Sequence, residues 1–71
     1  MDIKEKIGCK IKEIRKQQGL TQKQLGEKIG THQQHISEVE EGKINLTLDY
    51  IVKLAECLDI EIIIDLKIKN K

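Results

Sequence analysis

The sequence predicts a mainly α-helical chain of four short helices followed by one β-strand, and three observations predict it. The first is composition: 71 residues, 38% hydrophobic, with Tyr50 the single aromatic side chain, describe one small unit with an aliphatic core. The second is spacing, since apolar residues recur at helical intervals from Ile3 to Leu58 in runs separated by glycines. The third is a change of period to two beyond Asp59. A chain of this length buries only about 60% of its unfolded surface, so a second copy would add much to its stability.

The first helix runs from about Asp2 to Gln18 on Ile3, Ile7, Ile11 and Ile14, and closes at Gly19, which can take the left-handed conformation of a helix end. The second opens on Thr21, whose hydroxyl can cap free backbone amides, with Gln24 completing a capping box. It spans Gln22 to Ile29, buries Leu25 and Ile29, and ends at Gly30. Alone it is too short to be stable. After the turn Gly30-Thr31-His32, a third helix carries Gln33 to Glu41, with Ile36 and Val39 inward, and stops at Gly42. The fourth is capped by Thr47 and reaches Cys57 or Leu58 on Leu48, Ile51, Val52 and Ala55. Ile60, Ile62, Ile64, Leu66 and Ile68 then alternate with Glu61, Ile63, Asp65, Lys67 and Lys69, the pattern of a strand with one buried face. A helical tail is the competing reading of that stretch.

Thirteen basic and twelve acidic residues leave a formal charge of +1, which makes neither a polybasic tail nor a membrane-surface magnet. The longest apolar run, Ile62-Ile63-Ile64, is far short of the roughly 20 residues that span a bilayer, and the start of the chain has no signal-peptide core, so a cytoplasmic location is expected. Cys9 and Cys57 are accordingly expected to be reduced and structural. No Gly-rich phosphate loop and no recognisable Ser, His and Asp arrangement supports an enzyme. Cys9, His32, His35 and Cys57 match no zinc-finger spacing, so neither a metal, a cofactor nor a small-molecule ligand is expected.

Two short helices joined by a glycine-containing turn form the helix-turn-helix plan, whose second helix can enter the DNA major groove. The residues sharpen that plan. Ile7-Gly8, Ile11, Ile14-Arg15, Gly19-Leu20-Thr21-Gln22, Leu25, Ile29-Gly30, Ile36-Ser37, Glu40, Gly42 and Thr47-Leu48 resemble the Cro/C1-type, or Xre-like, helix-turn-helix family over residues 7 to 58. The resemblance implies a lambda-repressor-like four-helix domain that binds double-stranded DNA. It also implies that the helix after the turn reads base edges, which makes His32, Gln33, Gln34, Ser37 and Glu38 the candidates.

Helical geometry independently places Gln33, Gln34, Ser37, Glu38 and Glu41 on one polar stripe opposite Ile36 and Val39. Glutamine can bond adenine N6 and N7 in a bidentate way, an acidic side chain can accept from cytosine N4, and serine can do either. Thr21, Gln22 and Lys23 lie at a helix N-terminus, where free amides suit a phosphate oxygen. The resemblance gives Gln22 this role and adds Lys43 and Asn45. It also implies that Arg15 and Glu40 form a structural ion pair between the first and third helices.

The chain departs from the family pattern in places. His32 stands where a serine or threonine usually caps the recognition helix, and histidine caps less well. Gly26 replaces a common alanine, which suggests two helices passing closely. Glu38 and Glu41 put negative charge on or beside the face that would meet phosphates.

A lone strand needs a neighbour for its edge groups, and the expected one is the same strand of a second chain. The expected antiparallel register sets Glu61 opposite the partner's Lys67 and Ile62 opposite the partner's Leu66, because neighbouring registers oppose acid with acid. Residues 1–58 are thus read as the DNA-binding domain, and residues 59–71 as a dimerisation strand and tail built on Ile60, Glu61, Ile62, Ile64, Leu66, Lys67 and Ile68. This layout is similar to HipB-type antitoxins, and the resemblance implies a homodimeric repressor of its own operon that holds a HipA-type kinase toxin. A stand-alone or phage-type repressor fits as well. So does a helix-turn-helix fold used only for protein contacts, since fold does not guarantee function.

Overall fold

The computed structural model describes residues 2–69; Met1, Asn70 and Lys71, which fall within the two predicted segments, lie outside the described residues. Four helices follow in order: α1 (Ile3–Gln17), α2 (Gln22–Ile29), α3 (Gln33–Glu40) and α4 (Leu48–Leu58). Three of them start on side-chain caps. The Asp2 carboxylate accepts from the Glu5 amide while Glu5 accepts from the Asp2 amide, so α1 has a full capping box that the sequence reading passed over. Thr21 and Gln24 form the expected one on α2. Thr47 Oγ1 accepts from the Tyr50 amide at 3.1 Å and starts α4. At the head of α3 the His32 side chain makes no cap bond, as its chemistry suggests.

The core is aliphatic. Leu25, Ile36, Val39, Leu54 and Leu58 are fully enclosed, with Ile11 and Ile29 beside them, and Ile7, Ile14, Leu20, Ile44, Leu46, Tyr50, Cys57 and Ile60 pack around that centre. Each helix contributes the stripe its spacing gives it, and α2, at eight residues, is held by packing against α3 and α4. The end of α4 is closed from outside itself: Gln18 Nε2 donates to the Leu58 carbonyl at 2.6 Å, and Lys28 Nζ reaches the Cys57 carbonyl.

Two glycines set how closely the elements approach. A Cβ on Gly8, in the middle of α1, would collide with the Val39 carbonyl oxygen and lie 2.7 Å from that of Glu40, so α1 and the end of α3 touch backbone to backbone. A Cβ on Gly26 would lie 2.9 Å from the Thr31 carbonyl oxygen. The close approach expected at Gly26 is real, but its partner is the turn leading into α3 and not the flank of a second helix.

Beyond Asp59, which takes a left-handed conformation at φ 56°, the chain departs from the predicted strand. Residues 60–69 form no strand in the single chain, because no neighbouring segment is available to accept their backbone groups. Ile60 packs on the core, whereas Ile63, Leu66 and Ile68 are 82%, 90% and 95% exposed. With Ile7, Ile14, Ile51 and Leu54, residues 60–63 wall an apolar groove of about 370 Å³. Cys9 is exposed, so it has no structural part in the core. Cys57 is half-buried, its Sγ 3.6 Å from the Lys28 carbonyl oxygen. No helix among the described residues is long and apolar enough to cross a membrane.

Candidate nucleic-acid interface

The helix-turn-helix is the pair α2 and α3 joined through Gly30, Thr31 and His32, with Gly30 left-handed at φ 91°. Burying Ile36 and Val39 turns the opposite side of α3 outward. His32, Gln33 and Gln34 are exposed and Ser37 and Glu38 half-buried, so the five base-reading candidates fall on one face. Gln34 Nε2 lies 3.5 Å from Glu38 Oε2, at the outer limit of a hydrogen bond, which leaves both free for other partners.

The phosphate candidates flank that face. Thr21 and Lys23 are exposed at the head of α2, and Lys23 lines a shallow cleft with Glu27, Thr31, His32 and Gln33. Lys43 and Asn45 are exposed in the loop after α3. Lys43 Nζ sits 3.3 Å from Glu41 Oε1, an exposed pair of the kind that contributes little and exchanges readily.

Arg15 and Glu40 come together inside the domain, their side chains only 8% and 2% exposed. Arg15 Nε donates to Glu40 Oε2 at 2.6 Å, Nη2 donates to Oε1 at 3.1 Å, and Nη1 donates to the Leu20 carbonyl at 2.7 Å. The fork matches the carboxylate in a bidentate way, and each of its three nitrogens donates one hydrogen bond. Gln22 joins the same carboxylate, donating from Nε2 to Glu40 Oε1 at 3.0 Å. A residue read as a free phosphate contact is therefore tied to the ion pair, which spacing alone does not reveal.

Two further residues bear on the face and were not singled out from sequence. His35, on α3, meets Tyr50 of α4 edge to face, with ring centroids 5.5 Å apart, and so ties α3 to α4. The Tyr50 hydroxyl is buried without a hydrogen-bond partner, and burial pushes its ionisation above the ordinary value, with charge at Cys57 adding in the same sense. Among the described residues, no three His, Cys, Asp or Glu side chains gather in a way that could hold a metal.

This geometry is matched by known proteins. A family model described as helix-turn-helix covers residues 11–63. The control protein C.SmaI of Serratia marcescens is 37% identical over 59 residues, 83% of this chain and 70% of that protein. The crystal structure of the restriction-modification controller protein C.AhdI from Aeromonas hydrophila is 38% identical with a TM-score of 0.75, covering 80% of this chain and 83% of that one. A HipB variant in complex with an O2 20mer is 29% identical with a TM-score of 0.74, covering 92% of this chain and 90% of its own. With most of its length inside the family model and two relatives above 35% identity, the chain belongs to the Cro/C1-type, Xre-like helix-turn-helix family of DNA-binding transcription regulators.

Proposed function

We propose that the chain is a sequence-specific repressor that binds a pseudo-palindromic operator in double-stranded DNA as a homodimer. One observation carries the reading. The α3 face bearing His32, Gln33, Gln34, Ser37 and Glu38 faces outward, while the elements beneath it are fixed by a buried ion pair and backbone contact at Gly8. In this reading those five residues meet base edges, and Thr21, Gln22, Lys23, Lys43 and Asn45 meet phosphates, which set register without reading sequence. Arg15 and Glu40 hold the scaffold.

Residues 59–71 act as the dimerisation segment. The apolar side chains left exposed at Ile62, Ile64, Leu66 and Ile68 support this, since a second copy of the same stretch would cover them and pair the free backbone groups. The register that opposes Glu61 to the partner's Lys67 is retained as the proposed one.

A second, more specific reading makes the chain the autoregulating antitoxin of a HipA-type kinase toxin. It is favoured by extent of match: the HipB structure covers 92% of this chain, against 80% for C.AhdI. Co-expression with a HipA-type kinase should give a complex that survives gel filtration, and two separate peaks would remove the antitoxin role.

Salt dependence of duplex binding, read by fluorescence anisotropy, tests the repressor reading. A steep fall in affinity with salt is expected from counterion release at several phosphates; a flat response would favour a fold used for protein contacts alone.

A further inference from the structure

We infer that Glu40 is a positioning residue for DNA, holding the side-chain amide of Gln22 so that its second N–H faces a phosphate. This inference rests on the DNA reading above and deepens it.

Glu40 is the last residue of α3, Arg15 lies near the end of α1, and Gln22 is the first residue of α2. The three side chains meet on one carboxylate. Oε2 takes Arg15 Nε, and Oε1 takes both Arg15 Nη2 and Gln22 Nε2, at 3.1 and 3.0 Å. An ionised carboxylate only accepts, so it dictates which end of the Gln22 amide turns toward it: nitrogen inward, carbonyl oxygen away. The amide is planar and carries its second N–H about 120° from the first, which directs that hydrogen away from Glu40.

Gln22 is half-buried, and its surroundings suit an anion. As the first two residues of α2, Gln22 and Lys23 have no acceptor for their backbone amides inside the helix, and Thr21 Oγ1 is engaged with the Gln24 amide. A phosphate oxygen at this point would receive the second Gln22 N–H beside those amides, each a bond strengthened by the ligand's charge. The buried pair then does more than join α1 to α3. It fixes the distance between a phosphate contact on α2 and the base-reading face of α3, so backbone register and base readout are set by one carboxylate.

A glutamine at position 40 keeps the shape of the side chain but turns one of the two oxygen positions into a donor, so the orientation of Gln22 is no longer dictated. The test uses Gln22→Ala, Glu40→Gln and the double variant, each confirmed as folded by circular dichroism at the assay temperature. All are titrated on a duplex selected by the wild-type chain, and on versions carrying one neutral methylphosphonate at each backbone position in turn. The wild type should lose affinity at several methylphosphonate positions per half-site, by about tenfold at the one beside the head of α2. Gln22→Ala and Glu40→Gln should each bind the unmodified duplex about tenfold more weakly and lose clearly less than the wild type at that position, where only the backbone amides remain, with the double variant no weaker than Gln22→Ala. Additive losses, or a folded Glu40→Gln chain that keeps wild-type sensitivity to the methylphosphonate, overturn the positioning role alone. A wild-type chain that retains no duplex overturns the DNA reading and the inference with it.

Should Glu40→Gln fail to fold, NMR of the Gln22 side-chain amide in the wild-type chain decides. One of its two protons should be protected from exchange before DNA is added, and the other only afterwards. Two averaged, freely exchanging protons in the DNA-free chain contradict the inference.

Discussion

Gln33 and Gln34 stand exposed at the head of α3, and nothing in the fold requires an amide at either position. Replacing either by alanine should leave Tm nearly unchanged while relaxing sequence preference at one base pair per half-site, by about 1 to 3 kcal/mol. Equal loss on every duplex, matched or random, would show that these side chains only touch the backbone. Arg15 behaves in the opposite way. Arg15→Ala leaves the Glu40 carboxylate buried without its counter-charge, and should lower stability by about 3 to 5 kcal/mol as measured by urea denaturation. Tyr50 separates burial from bonding. Its hydroxyl has no partner, so Tyr50→Phe should leave Tm equal or higher. Because the folded chain keeps that proton at a pH where the unfolded chain has lost it, this group leaves stability unchanged below pH 10.0 and lowers it as pH rises through the raised folded value. The wild-type Tm should therefore fall more steeply above pH 10.0 than that of Tyr50→Phe; parallel curves would contradict the burial of the hydroxyl.

Among the elements, α1 crosses the end of α3 with backbone against backbone at Gly8. A methyl group at Gly8 meets two backbone carbonyls that cannot rotate away, so Gly8→Ala should destabilise by about 1 to 3 kcal/mol despite alanine's better helix propensity. A Tm at or above the wild-type value would show that the crossing has room. The helices were legible because each signal is local: caps at Thr21 and Thr47, apolar spacing, and glycines just beyond three helix ends. The bonds from Gln18 to Leu58 and from Gln22 to Glu40 were not, since they join residues 40 and 18 positions apart and leave no periodic trace. Gly8 offered a signal in retrospect: a glycine amid an amphipathic helix, where alanine would propagate the helix better, marks close packing. The terminal stretch was legible as a pattern but not as an element, because strand hydrogen bonds require a second strand that one chain does not supply. Removing residues 60–71 should give a monomer by analytical ultracentrifugation that binds a full site poorly. A truncated chain that stays dimeric would place the dimer contact elsewhere, with the groove between α1 and α4 the first region to examine.

At the scale of the whole molecule, charge and symmetry decide how binding works. Net charge is only +1, and Glu38 and Glu41 stand close to the α3 face, so non-specific attraction to DNA is weak and recognition falls on few contacts. In the proposed dimer two such faces compensate for this, and they should meet half-sites about 34 to 36 Å apart along the duplex. The measurement that tests this account most directly is selection of duplexes from a random pool by the purified chain, followed by sequencing of what is retained. The account predicts a pseudo-palindrome with half-sites about ten base pairs apart, centre to centre. A pool that shows no enrichment would contradict specific DNA recognition by this chain.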